Sequence, residues 1–159
     1  MFQQLIRTNS NDTAAFVLRV VLGAVMFPHG AQKMLGWFGG KGFSATLEGL
    51  TTGGGLPWII AFLVIIIEFF GAIALVLGFL GRLMAFSIGV VMVGAIVKAH
   101  LANGFFMNWS GQQAGEGFEY HLLAIAMAIA LTLTGSGRWS VDNALQRKKI
   151  HEREFEGVA

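Results

Sequence analysis

Residues 61–80 read AFLVIIIEFFGAIALVLGFL, an apolar run carrying one ionisable residue, Glu68. At about 1.5 Å per residue, a helix of that length extends roughly 30 Å, the thickness of a bilayer's hydrocarbon core. A soluble fold has little room for so long an apolar helix, so this run directs the chain to a membrane. The rest of the sequence agrees. Of 159 residues, 55% are hydrophobic and only 13% charged, with a mean hydropathy of +0.65, and a soluble domain of this size carries more charge. The 22 glycines suit close packing of transmembrane helices.

The expected fold is all-α: a polytopic membrane protein whose four transmembrane helices form a bundle. The spans fall at about 13–34, 56–77, 82–102 and 118–134, within one membrane domain, 1–142, followed by a charged tail, 143–159. Asn11, Asp12 and Thr13 are N-cap candidates for the first span, Pro57 suits the start of the second, and Ser140 can cap a short charged helix. The first apolar run continues past Arg19 and Pro28 without a small-x-small cleavage site, so it reads as a retained helix and not a removed signal. Arg7, Arg82, Arg138, Arg147, Lys148, Lys149 and Arg153 gather at one side, with Lys33, Lys41 and Lys98 toward the other. The positive-inside rule then places both termini in the cytoplasm of a bacterial plasma (inner) membrane protein. In the first outer loop, Phe43, Leu47 and Leu50 recur at helical spacing, which predicts a short surface helix. Trp37, Phe38, Trp58 and Trp109 fit an outer aromatic belt.

Cysteine is absent. That removes disulfides, thiol nucleophiles, thiolate zinc and cysteine-ligated iron–sulfur clusters from this chain's own chemistry. Redox work would need a bound cofactor or a partner. The net charge of +2 does not point to nucleic acid.

An unpaired charge within the bilayer costs at least about 2.5–3.5 kcal/mol, so Glu68 requires a partner or a proton. Arg19, Gly23, Met26, Gly30 and Lys33 share one helical stripe, and Glu68, Gly71, Leu75 and Gly78 share another. Counting residues from the span ends places Arg19 about 22 Å and Glu68 about 18 Å below the outer surface, within about one turn. The expectation is an Arg19–Glu68 ion pair between two glycine-lined faces, either as a structural device that fixes register or as part of a site. Nearer the outer face, His29 and Lys33 end the first span, Lys98 and His100 the third, and Glu119 and His121 begin the fourth. Such a cluster could hold a small organic ligand, relay protons, or ligate a metal or haem. The H-E-x-x-H spacing is missing, and interfacial histidines and lysines often just snorkel, so no metal is assigned. Ala85, Gly89 and Gly94 in the third span, and Ala124, Ala128 and Thr132 in the fourth, read as packing faces, and Met26, Met34, Met84, Met92, Met107 and Met127 are scattered among apolar residues and need no metal-binding explanation.

Four segments together, LRVVLGAVMFPHGAQKMLGWFGG, GLPWIIAFLVIIIEFFGAIALVLGFLGRLMA, KAHLANGFF and EYHLLAIAMAIALTLTGSGRWSVD, resemble the DoxX family of small four-helix bacterial membrane proteins. Arg19, Gly30 and Lys33 fall on its first motif, Glu68, Gly71, Gly78 and Arg82 on the second, and His100 on the third. Glu119, Gly135, Gly137, Ser140 and Asp142 fall on the fourth, whereas His29 and His121 are not assigned to the pattern. The resemblance implies redox work at the membrane: quinone-coupled oxidation of sulfur compounds, oxidative-stress complexes, or resistance to quinone-like compounds. The expected function is therefore a component of a quinone-linked oxidoreductase or redox-stress system, with quinone as the candidate cofactor. Glu68, Arg19 and His100 are the candidate catalytic residues, and Lys33, Lys98, His29, Glu119 and His121 the candidate ligand-binding ones. A soluble redox partner would supply electrons, and a homodimer is compatible with the glycine-rich faces. The alternative is a non-enzymatic scaffold for soluble redox partners, using the basic tail, or a small carrier for a hydrophobic compound.

Overall fold

The structure, a computed structural model, describes residues 2–156, with side chains to Lys149. The last expected tail residues, 157–159, and the Arg153 side chain lie outside the described residues. The described residues are all-helical: α1 (Phe2–Leu5), α2 (Thr13–Leu35), α3 (Gly42–Glu48), α4 (Trp58–Leu77), α5 (Gly81–Asn103), α6 (Glu119–Thr134) and α7 (Val141–Glu156). Helices α2, α4 and α5 are long and apolar enough to cross a membrane, and α6 is apolar but shorter. Around a core of Leu22, Met26, Ala72, Leu75, Ala85, Ile88, Ala124, Ala128 and Leu131, α2 packs on α4 and α6, and α5 on α6. The outward faces are apolar as well. Val21, Phe86, Val90, Val97, Leu123 and Leu133 are all exposed, an arrangement that suits lipid and not water.

Local chemistry sets the ends. Asp12 caps α2 by accepting from the Ala15 amide at 2.9 Å, and Gly36 closes that helix at φ 73°. Ser140 caps α7 by accepting from the Asn143 amide at 3.2 Å. Across the α4–α5 turn, where Gly78 and Leu80 have φ 68° and 50°, the α7 residue Asp142 accepts from the Leu80 and Gly81 amides at 2.8 and 2.9 Å. A carboxylate distant in sequence thus satisfies the first orphan donors of α5. The predicted loop helix is present as α3, and Phe43 packs edge-on against Phe62. Gly89 is a packing position against Ala128, but Gly94 faces open space and serves no close contact.

The expected Arg19–Glu68 pair does not form. Arg19 is 1% exposed and spends its guanidinium on backbone carbonyls: Ser136 at 2.7 Å, Leu75 at 3.1 Å, Val76, Arg138 at 3.2 Å and Trp139 at 2.7 Å. Two of these, Leu75 and Val76, belong to the last turn of α4, which carries the negative end of the helix dipole, and Leu75 also accepts from the Gly78 amide at 3.0 Å. The α2 glycine stripe does meet α4, in a different register from the expected one, whereas Gly71 of the α4 stripe turns to Met84 and Ile88 of α5. A Cβ at Gly23 would touch Ala72 and Val76, one at Gly30 the backbone of Glu68 and Phe69, and one at Gly78 the Arg19 guanidinium. Arg19 therefore lies opposite the end of α4, and Glu68 lies opposite Gly30, roughly 16 Å further along α2. Assigning both helices a common outer boundary misplaces their relative height, because α2 and α4 are set by glycine contacts and not by their ends.

Two outcomes follow. A Cβ at Gly30 would sit 2.5–2.6 Å from main-chain atoms of Glu68 and Phe69, so Gly30→Ala forces the helices apart. The expected loss is about 1–3 kcal/mol, measured as thermal unfolding in detergent. In Arg19→Lys, three ammonium donors cannot serve five carbonyls, and each buried carbonyl left unpaired costs about 1–3 kcal/mol. That variant is expected to unfold at a clearly lower temperature than wild type despite keeping its charge.

Candidate functional site

Two interruptions of regular α-helix frame the site. Ile67–Gly71 in α4 and Ile96–His100 in α5 are π-helical turns. Such a turn re-aims the side chains around it and recurs at functional sites. One carries Glu68, the other Lys98 and His100. Nothing in IEFFG or IVKAH marks a π turn by composition. The close approach of Gly30 to the Glu68 carbonyl is a tertiary feature.

Glu68, 4% exposed, pairs with Lys33: Nζ lies 2.5 Å from Oε2. Helical spacing places Lys33 one turn beyond Gly30, so its long stem reaches back to the carboxylate next to the helix contact. The ammonium end is more open than the carboxylate, with side-chain exposures of 28% and 5%. The pair borders a cavity of about 200 Å³ lined also by Met26, His29, His100, Tyr120 and His121, with Met107 and Glu116 closing it from the α5–α6 loop. A water occupies about 30 Å³ and drug-sized pockets begin near 300 Å³. The space therefore suits a small headgroup or a few waters.

Its histidines are arranged differently from one another. The His100 Nδ1 atom is 2.8 Å from the Glu116 carbonyl oxygen. A carbonyl only accepts, so Nδ1 carries the proton and the neutral ring keeps an accepting lone pair on Nε2. His121 lies beside it, with ring centroids 4.1 Å apart. The His121 ring is buried, and its Nδ1 has no hydrogen-bond partner. A buried, unpaired ring nitrogen is costly unless something in the cavity meets it. Tyr120 donates its hydroxyl to the Met26 sulfur at 3.5 Å and lies near His29, 6.2 Å between ring centroids. The cavity thus offers an ammonium donor, two carboxylates, three imidazoles and a phenol, a set able to hold and move protons.

Of the sequence-derived candidates, Glu68, Lys33, His29, His100 and His121 line this cavity. Arg19 does not: its donors are committed to carbonyls of the last turn of α4 and of the segment after α6, away from this cavity. Lys98 is exposed and absent from the lining. Glu119 instead ties down the α5–α6 loop, accepting from the Met107 amide at 3.0 Å and the Trp109 indole at 3.2 Å. Tyr120, Glu116, Met92 and Met107 escaped the sequence reading. The one available signal was Tyr120, the only tyrosine, placed directly before His121. Met107 and Glu116 come from an irregular loop whose path no periodicity reveals. A larger apolar groove, about 350 Å³ between α5 and α6, contains no ionisable lining residue and offers only van der Waals contact.

The chain is 27% identical over 133 residues to "Putative oxidoreductase CatD" of Bacillus subtilis (strain 168), covering 84% of this chain and 87% of that protein. It is 26% identical over 138 residues to "Inner membrane protein YqjF" of Escherichia coli (strain K12), covering 86% and 95% respectively. No solved structure gives a significant match. The DoxX family model matches residues 14–101, a stretch that carries the Lys33–Glu68 pair, both π turns and His100. With these features in one matched segment of a helical membrane protein, the chain belongs to the DoxX family.

Proposed function

We propose that this protein is the membrane-embedded, ligand-binding component of a quinone-linked oxidoreductase or redox-stress system. It spans the bacterial inner membrane with α2, α4, α5 and α6, both termini being cytoplasmic. The single observation that carries the reading is the unpaired, buried His121 Nδ1 beside His100, in a cavity shared with the Lys33–Glu68 pair. A quinone ring is small, planar and carries carbonyl acceptors, which matches the donors offered by Lys33 and a protonated His121 nitrogen. Such a ring accepts electrons and protons when bound. The chain's own residues hold it, keep water out and supply protons. Glu68 pairs with Lys33 and fixes its side chain beside the cavity, and His100, fixed through its Nδ1–H, presents Nε2 toward exchange of a proton. Electrons come from a soluble partner, since the chain has no cysteine to hold a cluster. The oxidoreductase name of one relative supports the same class.

The test is extraction of quinone from protein purified in mild detergent, with mass-spectrometric quantitation per mole of protein. Wild type is expected to carry quinone. Glu68→Gln releases the Lys33 ammonium from its partner, and His121→Phe removes the ring nitrogens. Each variant is expected to retain quinone at least about 10-fold less well, the effect of losing one charge-assisted or buried hydrogen bond of roughly 1.4 kcal/mol or more. Quinone absent from wild type, or equally retained by both variants while they melt like wild type, would falsify the assignment.

A further inference from the structure

At the opposite end of the helices lies a second polar cavity, unrelated to the histidine site. It encloses about 320 Å³ and is lined by Ser10, Asn11, Arg138, Trp139, Asn143 and Arg147, among others. The lining contains two guanidinium groups and no carboxylate. Among the described residues, no acid forms an ion pair with either arginine. The nearby carboxylates are engaged elsewhere, Asp12 on the Ala15 amide and Asp142 on the Leu80 and Gly81 amides and the Ser136 hydroxyl.

The segment bearing Arg138 and Trp139 is held firmly. The Arg138 amide donates to the Asp12 carbonyl at 3.0 Å, while the buried Arg19 takes the Arg138 and Trp139 carbonyls. Trp139 adopts φ 51°, a left-handed conformation that a bulky residue tolerates only when its surroundings impose it. Its ring stands edge-on to Phe16, 5.1 Å between centroids, and the Arg138 guanidinium lies over it at 4.2 Å. The indole is nonetheless 65% exposed. The cavity sits just outside the ends of the apolar segments, between the residues preceding Thr13 and those following Thr134. That is the level of lipid headgroups, where tryptophan is enriched and basic side chains meet anionic lipid.

We propose that this cavity binds the phosphate group of an anionic membrane lipid, held between Arg138 and Arg147 with Asn11 and Asn143 as neutral donors, the lipid's glycerol region resting on Trp139. A volume of about 320 Å³, on the order of ten waters, admits a phosphate with its glycerol but not acyl chains, which run down the apolar faces of the helices. The shared chemistry is a phosphate anion, and its alternative source is free phosphate.

The full-length protein, purified in neutral detergent, is tested by native mass spectrometry and thermal unfolding. The probes are phosphatidylglycerol, phosphatidylcholine with the same acyl chains, and inorganic phosphate. Wild type is expected to retain phosphatidylglycerol in preference to phosphatidylcholine and to be stabilised by it. Arg138→Gln combined with Arg147→Gln is expected to lower that retention on the order of 10-fold, while Lys41→Gln, at the other end, leaves it unchanged. Should the double variant fail to fold, Arg147→Gln alone, on an exposed helix position, is expected to give a smaller loss in the same direction. Equal retention of the two lipids by wild type, or undiminished phosphatidylglycerol binding by the arginine variants, overturns the proposal. Stabilisation by inorganic phosphate equal to that by the lipid, and lost with the same arginines, assigns the cavity to free phosphate and overturns the lipid reading.

Discussion

The Arg19 guanidinium organises one whole end of the molecule. Five carbonyls from α4 and the segment that follows α6 converge on it, and a planar group with five N–H donors is the side chain able to serve that many acceptors. Its charge faces the negative end of a helix dipole, with the Asp142 carboxylate nearby but not in a direct ion pair. Because the same guanidinium holds α4 and the α6–α7 segment, it couples parts of the chain far apart in sequence. Asp142 completes that end by capping α5. Arg19 and Asp142 are each 1% exposed, so water cannot replace their partners and the pairing is obligatory.

Freed from pairing with Arg19, Glu68 belongs to a different neighbourhood. Gly30 lets α2 ride directly on the π turn of α4, and Lys33 then reaches the carboxylate. The two arginine- and lysine-based devices divide the labour: one closes the end of the bundle, the other supplies charge to a cavity. An ammonium–carboxylate pair bordered by imidazoles has donors and acceptors in reserve, whereas Arg19 has its donors committed. That difference leaves the first site able to meet a ligand, while the donors of the second are spent on the fold.

Several features were legible because they depend on local rules. The apolar runs, a cap among Asn11–Thr13, the Ser140 cap, the loop helix and the α2 glycine stripe follow from propensity, capping and 3.6-residue periodicity. Five of the eight candidate site residues share one cavity because they were chosen near helix ends that lie at one level. Arg19 failed because depth was counted from span ends, and an axial offset between α2 and α4 leaves no trace in either helix's own sequence. Glu119 failed because its partners, Met107 and Trp109, lie on an irregular loop.

The sequence by itself determined a helical membrane protein with two small-residue faces, each carrying buried charge, since hydropathy and periodicity are properties of single segments. Only the tertiary structure decided which cation meets Glu68, where the π turns fall and that His121 is left unpaired beside His100. Those outcomes depend on how far one helix slides along another. Close approach of α2 to the α4 backbone at Gly23 and Gly30 sets that distance, and the contact exists only once the helices are packed.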